Sequence, residues 1–540
     1  MNIETILKNK IIAALKTFGL DINADEIVLE HPKDESRGDY ATNAALQHAK
    51  KLNLKPRDFA LKLADIIDLE GIDKIEVAGP GFLNIFLNSA ALQSVVAQII
   101  AKDFDYGRGD NKNFKVNVEF VSANPTGDLH LGHARCAAIG DAICRLYEFA
   151  GYQITREFYV NDAGAQVAKM GASLQARYLN ECGINALVPE DGYHGLDLVD
   201  IAKQVKEIYG ESLVEDNTKN REIFVKEGIR LELEKIKKDL ELFRVAFDIY
   251  SFESEVRKDG KVEQTLAEYQ DFTYVDNGAT FLKTTAFLDD KDRAVVKSDG
   301  SYTYLMPDIT YHLQKLSRGY DLLIDVLGAD HHGYTNRMRS ALMMKGYPAE
   351  ILDFELVQVV RLMRGDVEVK MSKRGGTTVT LRELTEEVGV DATRYFFVAR
   401  ASTSHLDFDF DLAMEQSSSN PVFYAQYAHA RLCKLLETGA DIGLDLTAVN
   451  IRETAEINLL KHLQEFPIMI EGCAKTREPY KVATYIQKLA GLTHAFYTEC
   501  RVIDRDNIML SKSRLALCKA SQIVMRNALN VLGVNAPEQM

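Results

Sequence analysis

The segment that most constrains the fold of this chain is residues 116–135, VNVEFVSANPTGDLHLGHAR. Its first part is rich in β-branched and aromatic residues, which predicts a strand, and the Asn, Pro and Gly that follow predict a turn. The turn leads into a helix whose first residues include His130, Gly132 and His133. Strand, turn and helix N-terminus in this order form an anion site, because unpaired backbone N–H groups and the positive helix end face one point.

The two histidines add chemistry to this anion site. His130 and His133 are three residues apart and therefore share one face of the helix. Both imidazoles can donate hydrogen bonds to phosphate oxygens, and Gly132 lets a flat ring approach the backbone. The pattern predicts nucleotide binding, although the same spacing alone is compatible with ordinary residues on a buried helix of small side chains.

A second candidate segment, VKMSKRGGTT at 369–378, lies about 240 residues after the first. It carries Lys370, Lys373 and Arg374, and the two glycines that follow predict a hinge. Basic side chains on a mobile loop can close over a polyphosphate and neutralise charge that develops on a leaving group. Alone, the run is also compatible with a solvated hairpin tip. The two segments together predict a nucleotidyl-transfer site.

Composition limits the class of protein. The chain has 540 residues, 46% of them hydrophobic and 26% charged, which predicts a globular protein of two to four domains. No apolar run reaches the length of a membrane span, and the amphipathic start differs from a signal peptide. Seven scattered cysteines without a CxxC pair predict no disulfide framework and a cytoplasmic location. The net charge of −15 argues against indiscriminate binding of nucleic acid, but local basic patches can still bind a structured RNA.

The pattern of predicted elements divides the chain into three domains. Residues 1–108 combine helices with a strand pair around Gly79-Pro80-Gly81, and residues 411–540 show almost only helical periodicity. Strands and helices alternate over 109–410, which is typical of a parallel α/β sheet, and the stretch from about 175 to 290 is predicted to be an insertion that splits this sheet. Strands are predicted at 115–121, 154–160, 321–327 and 355–361.

These residues resemble a known family. HLGH at 130–133 and KMSKR at 370–374 resemble the two ATP-binding motifs of class I aminoacyl-tRNA synthetases. Five further segments narrow the resemblance to arginyl-tRNA synthetases: EFVSANPTG (119–127), YVNDAG (159–164), DGSYTY (299–304), GADHHG (328–333) and NPVFYAQYAHAR (420–431). The resemblance extends to Met540. One departure is Arg374, where the class usually has serine, whereas the chemically important lysine of the motif is present as Lys373.

The resemblance implies a fold and a reaction. It implies an α/β protein: a Rossmann-like catalytic domain with a parallel sheet, a small α+β N-terminal domain and an all-α anticodon-binding bundle. The enzyme would activate L-arginine with ATP, with Mg²⁺ entering with the nucleotide, and transfer the arginine to the 2′-OH of the terminal adenosine of tRNA(Arg). The implied catalytic residues are His130, His133, Lys370 and Lys373. The implied ATP site also contains Gly132, Gly328, Asp330, His331, Met371 and Ser372.

Arginine selection requires an acceptor for a rigid guanidinium with five donors. Asp308 is the main candidate, because it lies four residues after Tyr304 and both would face one pocket at a helix start. The resemblance adds residues for the amino and carboxylate ends of the substrate: Glu119, Ser122, Asn124 and Gln166. Two alternatives remain from the residues alone: Gln166 and Asp162 can cap the helix after strand 154–160, and Asp330 can be a helix N-cap.

The outer domains are predicted tRNA platforms. The resemblance places Phe82 and Asn84 at the D-loop of the tRNA and the end of the chain, Met540, near the anticodon. Tyr424, Tyr427 and Arg431 share one helical face, and aromatic rings with an arginine suit stacking on splayed anticodon bases. Core packing remains an alternative both for Phe82 and for this helical face.

The predicted partners are tRNA(Arg), L-arginine and ATP, with no membrane and no structural metal, and a monomer is expected. Two other classes remain as alternatives. A different nucleotidyltransferase or class I synthetase would share the HxGH motif, and a non-catalytic RNA-binding relative would share the fold. The second alternative is expected to have lost histidines or lysines of the site, and this chain retains them. A metal enzyme has little support, because His331-His332 has no suitably spaced acidic or cysteine partner.

Overall fold

The computed structural model describes residues 3–30, 32, 37–67, 72–87, 89–365, 367–369, 379–446 and 451–540. The N-terminal part is a small α+β unit, as predicted. Its antiparallel sheet has the strand order β1-β2-β4-β3. Its elements are α1 (Ile3–Thr17), β1 (Leu29–Glu30), β2 (Tyr40–Thr42), α2 (Ala44–His48), α3 (Pro56–Ile66), β3 (Ile72–Ala78), β4 (Phe82–Leu87) and α4 (Ser89–Lys102).

The predicted strand pair is confirmed by β3 and β4, which meet at the Gly79-Pro80-Gly81 turn. Gly81 has a φ of +140°, and a Cβ at this position would lie 2.8 Å from the carbonyl oxygen of Pro56. Only glycine fits such a close approach of two backbones. The turn therefore lies directly against the start of α3.

The middle part is built on a parallel sheet of β12-β11-β5-β6-β7, with five strands among the described residues. The elements that build this sheet and its surroundings are β5 (Lys115–Glu119), α5 (Leu131–Phe149), β6 (Gln153–Val160), α6 (Ala165–Glu181), α7 (Asp197–Tyr209), α8 (Thr218–Leu242), β7 (Ile249–Phe252), α9 (Glu253–Arg257), α10 (Lys261–Glu268), β8 (Thr273–Asp276), β9 (Ala279–Leu282), β10 (Arg293–Val296), α11 (Leu305–Ser317), β11 (Leu322–Gly328), α12 (Thr335–Met344) and β12 (Leu352–Val357). Valine, isoleucine and leucine on both faces of these strands suit a sheet that is covered by helices on two sides.

The predicted insertion at 175–290 is wrong as one continuous piece. Ile249–Phe252 forms β7 and pairs in parallel with β6, so it belongs to the central sheet. The intervening residues form two separate additions. Helices α6–α8 enclose a cluster of buried side chains that includes Leu174 and Phe224. Strands β8–β10 form a small antiparallel sheet before α11.

The predicted strand at 355–361 is also corrected, because it is two strands in two sheets. β12 ends at Val357, and the chain then enters a second sheet formed by β13 (Val360–Arg364), β14 (Val367–Glu368) and β15 (Leu406–Asp409). The Gln358 N–H donates to the Ser402 carbonyl (2.9 Å), and the Gln358 carbonyl accepts from the buried Arg135 guanidinium (2.8 Å). These bonds replace the ladder of the central sheet and explain the break.

The C-terminal part is helical, as predicted. Helices α13 (Leu381–Val388) and α14 (Val390–Val398) still lie within the predicted 109–410 part. They are followed by α15 (Phe410–Met414) and by the bundle helices α16 (Pro421–Thr438), α17 (Thr454–Thr476), α18 (Pro479–Glu499) and α19 (Ile508–Val531). The bundle is tied to helix α5 of the middle part by Arg394, which is fully buried. Its guanidinium donates to Asp141 on α5 (2.5 Å) and to the Leu532 carbonyl (3.2 Å).

Candidate active site

The turn after β5 is strained. Val121 and Ser122 have φ angles of 67° and 40°, a region that residues other than glycine rarely occupy and β-branched valine least of all. The Ser122 hydroxyl donates to Glu119 Oε1 (2.9 Å) and accepts from the Tyr159 N–H (3.1 Å), which ties the turn to β6. Such strain persists only where the surrounding structure holds it in place, and it concentrates at functional sites.

The paired histidines lie directly after this turn. The structure corrects one detail, because α5 begins at Leu131 and His130 is its N-cap. Nδ1 of His130 accepts from the Gly132 N–H (3.1 Å), and Nδ1 of His133 accepts from the His130 N–H (3.4 Å). The two rings stack with centroids 3.7 Å apart.

Both imidazoles are neutral donors in this geometry. Burial lowers the pKa of His130, and burial together with the neighbouring ring lowers the pKa of His133 to about 3. Because each Nδ1 accepts a backbone hydrogen bond, Nε2 carries the proton of each ring. Glycine gives the ring room, since a Cβ at Gly132 would lie 3.0 Å from the His130 ring and the ring would have to shift by a few tenths of an ångström.

The second ATP motif, KMSKR at 370–374, lies outside the described residues. Lys370, Met371, Ser372, Lys373 and Arg374 are not among them, so their predicted roles stay predictions.

The residues that flank this motif are described. On one side, the Val369 N–H donates to the Leu362 carbonyl (2.7 Å). On the other side, Thr380 forms an antiparallel bridge with His130, and the Leu381 N–H donates to the Leu129 carbonyl (2.7 Å). The predicted capping box is confirmed, because the Thr380 hydroxyl accepts from the Glu383 N–H (3.1 Å). Thr380, six residues after Arg374, therefore lies directly beside the first histidine.

The predicted ribose-binding residues follow β11. Gly328 is the last residue of this strand, which pairs in parallel with β5, so its carboxyl end lies at the same edge of the sheet as the turn after β5. Asp330 lies in a short 3₁₀ turn with its side chain 84% exposed, and its Oδ2 is 3.7 Å from His331 Nε2. A carboxylate exposed at this edge is an available acceptor for hydroxyl groups.

Asp308 lies in the first turn of α11, where it is partly buried. Its Oδ2 accepts a hydrogen bond from the Tyr334 hydroxyl (2.5 Å). Burial raises the pKa of Asp308 to about 6, although the Tyr334 hydrogen bond opposes this shift. Tyr304 lies one turn earlier, and its side chain is 82% exposed. Tyr304 is thus open to solvent here, whereas Asp308 faces the interior.

Beneath Asp308 lies a charged network that the sequence analysis missed. His312 Nδ1 bonds the Asp308 carbonyl (2.7 Å), and its Nε2 bonds Asp325 Oδ2 (2.8 Å). Lys315 donates to Asp325 Oδ1 (3.0 Å) and to Glu119. Because a carbonyl and a carboxylate can only accept, both nitrogens of His312 carry protons and the ring is an imidazolium. Burial alone would lower the pKa of His312, but the Asp325 carboxylate raises it above its ordinary value.

The charges of this network balance except at Asp308. His312 and Lys315 offset Asp325 and Glu119. The nearby Glu157 carboxylate is paired with Arg318 (2.7 Å), and burial, which would raise its pKa, is outweighed by the neighbouring cations. Among the ion pairs of the described residues, none includes Asp308. Asp308 is therefore a carboxyl without a direct ion-pair partner among the described residues, although the nearby His312 charge partly opposes the rise of its pKa by burial, and its side chain is available to accept from a guanidinium.

Asn124 and Gln166 are brought together, with Asn124 Nδ2 2.6 Å from Gln166 Oε1. Asp162 takes a structural role, because its carboxylate accepts from the Ser254 N–H (2.8 Å) and hydroxyl (2.5 Å) at the start of α9. The alternative that Asp162 or Gln166 caps the helix after β6 is wrong, because the N-cap of α6 is Gly164 and no side chain caps it. Gln166 contacts Asn124, and its role in binding arginine stays a prediction.

The two predicted tRNA residues of the N-terminal unit differ in exposure. Phe82 is 37% exposed at the start of β4, beside the glycine turn. Asn84 is only 6% exposed. A base could stack on Phe82 in this conformation, whereas Asn84 offers little surface.

The bundle presents an aromatic cluster on α16 and α18. The Arg431 guanidinium lies 4.8 Å from the Tyr427 ring centroid and 4.2 Å from that of Tyr497, and it donates to the Tyr427 hydroxyl (3.0 Å). Tyr424 packs against His494 at 4.6 Å, and Tyr427 is 39% exposed. The helical face is therefore a partly open platform. His494 and Tyr497 belong to it but come from a second helix, so no local sequence pattern identifies them.

The end of the chain lies beside this bundle. The Pro537 carbonyl bonds His429 Nδ1 of α16 (2.8 Å), and Met540 is 55% exposed.

Among the residues that the structure describes, every helix is too short or too polar to serve as a membrane span. The same residues contain no group of three side chains suited to hold a metal ion.

Three known domain families match the chain in order. "Arginyl tRNA synthetase N terminal domain" matches residues 4–87, "tRNA synthetases class I (R), catalytic domain" matches 95–396, and "DALR anticodon binding domain" matches 425–540. The order agrees with the three predicted domains. Their boundaries at 108 and 410 stay predictions.

Several known proteins are similar to this chain over nearly its whole length. An arginine–tRNA ligase of Shouchella clausii is 50% identical over 95% of this chain and 94% of the relative. One of Bacillus subtilis is 45% identical over 99% of each. The solved structure of a Campylobacter jejuni protein, described as a putative arginyl-tRNA synthetase, has a TM-score of 0.78 at 31% identity and covers 84% of this chain and 100% of that one. The Thermus thermophilus arginyl-tRNA synthetase, at 21% identity and a TM-score of 0.77 over 99% of this chain and 100% of that one, supports the fold. The chain therefore belongs to the arginyl-tRNA synthetase family of class I aminoacyl-tRNA synthetases.

Proposed function

We propose that this chain ligates arginine to tRNA(Arg) in two steps. In the first, a carboxylate oxygen of arginine attacks the α-phosphorus of ATP, the bond to the β-phosphate breaks, and arginyl-adenylate and pyrophosphate form. In the second, the 2′-OH of the terminal adenosine attacks the arginyl carbonyl and AMP leaves. The observation that carries the proposal is the bridge between Thr380 and His130, which brings the chain that follows the lysine motif to the paired imidazoles.

The ATP site has the donors that a triphosphate needs. His130 and His133 offer neutral Nε2–H groups at the N-terminus of α5, where the helix dipole also favours anions. Lys370 and Lys373 would stabilise the departing pyrophosphate, and Met371 and Ser372 would contact the nucleotide. Gly132 would lie under the adenine, while Gly328, Asp330 and His331 would hold the ribose. Mg²⁺ would enter with ATP as part of the substrate.

Arginine would be held at both ends. Asp308 would pair with the guanidinium, with Tyr304 closing over it, since an unpaired buried carboxylate and a buried guanidinium stabilise each other. Glu119, Ser122, Asn124 and Gln166 would hold the amino and carboxylate groups beside the α-phosphate. Positioning and charge stabilisation supply the catalysis, as in phosphoryl transfer generally.

The tRNA would span both outer domains. Phe82, with Asn84, would contact the elbow, while Tyr424, Tyr427, Arg431 and Met540 would contact the anticodon loop. Stacking of bases on exposed aromatic rings and on a guanidinium supports the second contact. We expect a cytoplasmic monomer.

The test is ATP–pyrophosphate exchange with arginine, glutamine, cysteine and lysine, each with and without tRNA(Arg). Exchange that depends on arginine alone supports the proposal, and the comparison shows whether activation waits for tRNA. Exchange with a different amino acid, or none with arginine in the presence of tRNA, contradicts it.

A further inference from the structure

Helix α8 contacts the segments on both sides of the Thr380–His130 bridge. Lys235 Nζ lies 2.5 Å from Asp128 Oδ1, two residues before His130. One helical turn later, Asp239 accepts from the guanidinium of Arg382, two residues after Thr380. Lys235 and Asp239 are four residues apart and therefore share one face of the helix.

The setting of these pairs makes them sensitive to loss. The Asp239 side chain is only 3% exposed and that of Lys235 is 29% exposed. Lys235 also faces the carboxyl groups of Glu232 and Asp197. Burial would lower the pKa of Lys235, but these acidic groups together with Asp128 raise it. Removing the Arg382 cation would leave the buried Asp239 carboxyl without its partner, which is more costly than the loss of an exposed surface pair. Lys235 faces groups of mixed exposure, since the Asp128 side chain is 36% exposed and burial raises the pKa of Glu232 to about 8.

α8 can hold these segments firmly, because it is anchored in two cores. Phe224 lies in the cluster formed by α6–α8, whereas Ile236 and Leu240 lie in the main core with Leu129 and Leu381. Leu129 and Leu381 are the neighbours of the bridge on its two strands. The helix thus meets the segments beside the bridge through these two ion pairs.

We propose that Lys235 and Asp239 are positioning residues of the ATP site. The pairs Lys235–Asp128 and Asp239–Arg382 hold the turn before the histidines against the helix that follows the lysine motif. Neither residue touches the nucleotide. The proposal gives the helical addition α6–α8 a role in the activation of arginine, and it therefore rests on the proposed function.

The first test is a set of single variants measured by ATP–pyrophosphate exchange with arginine and tRNA. Lys235→Met and Arg382→Gln are expected to lower kcat/KM for ATP about tenfold or more, because small misplacements of reacting groups are costly. KM for arginine should stay within about twofold, since Asp308 lies on α11 away from these pairs. Lys235→Arg keeps the charge and should restore most of the activity. Lys238→Met, on the solvent side of the same helix, is the matched control.

The second test separates positioning from stability. The melting temperature of each variant is measured together with a cycle of Asp128→Asn, Lys235→Met and the double variant. Positioning predicts that the double variant is no slower than the worse single variant. If Lys235→Met does not fold, the test uses Asp128→Asn, because the Asp128 side chain is 36% exposed and its loss should disturb folding less.

The outcomes distinguish this proposal from the proposed function. A wild-type chain without arginine-dependent exchange overturns the function itself. A wild-type chain that is active, with variants that lose thermal stability but keep kcat and KM for ATP, overturns the positioning role alone.

Discussion

Replacing Asp308 with asparagine tests the arginine pocket most sharply. An ordinary aspartic acid ionises near pH ~3.9, whereas burial raises the pKa of Asp308 to about 6. The difference corresponds to about 3 kcal/mol for placing an unpaired charge in this pocket. A bound guanidinium offsets this cost and forms charge-assisted hydrogen bonds. The ionised form of Asp308 is therefore stabilised when a cationic group binds beside it.

The Asp308→Asn substitution would leave the guanidinium of bound arginine desolvated and without a counter-charge. Such a loss costs about 3–5 kcal/mol, which lowers kcat/KM for arginine about 100- to 5,000-fold. The assay is arginine-dependent ATP–pyrophosphate exchange with saturating tRNA, and KM for ATP should stay within about twofold because the proposed site has Asp308 contact arginine and not ATP. Asp271→Asn, which changes an exposed aspartate of the same domain, is the control. Arginine kinetics within about threefold of the wild type would refute the assignment.

Further predictions concern the other parts of the site. His130→Gln should lower kcat of exchange about 100- to 1,000-fold, as the loss of a preorganised donor does, with a tRNA affinity that is unchanged in filter binding. A proton on Asp308 would compete with bound arginine, so kcat/KM for arginine should fall about tenfold per pH unit below pH ~6 and become constant above it. Tyr334→Phe removes a hydrogen-bond donor to the carboxylate, so the pH at which kcat/KM begins to fall should move higher. Tyr427→Ala should weaken tRNA binding about five- to 100-fold, measured by the KM for tRNA, with KM for arginine unchanged. Deletion of 538–540 should also raise the KM for tRNA, and an unchanged value contradicts a role for the chain end.

Much of the fold was predictable because its signals are local. The strand–turn–helix segment at 116–135 carries its own strand, turn and cap residues, and β5, β6 and β11 lie within one or two residues of the predicted strands. The capping box at Thr380 was likewise readable from four consecutive residues. The helical C-terminal part followed from its periodicity.

The errors arise where distant contacts decide the structure. β7 has only four residues, and its place beside β6 depends on a partner about 90 residues earlier. The break between β12 and β13 is set by Arg135, which reaches Gln358 from α5. Neither contact leaves a pattern in the neighbouring sequence.

The candidate site shows the same division. The histidines and Asp308 were identified from motifs, but their protonation states depend on groups from other elements. His312 and Lys315 lie four and seven residues after Asp308 on α11, a polar face whose meaning appears only when Asp325 of β11 packs against it. Lys235 and Asp239 look like ordinary charges on an amphipathic helix until their partners are known.

The central claim is that the paired histidines and the lysine motif act on one triphosphate, and the most direct measurement is a crystal structure of the chain with ATP. The account predicts that Nε2 of His130 and His133 and the ammonium groups of Lys370 and Lys373 lie within hydrogen-bond distance of the same triphosphate. A nucleotide bound elsewhere, or one contacted by the histidines while the lysine motif stays on a separate surface, would contradict it.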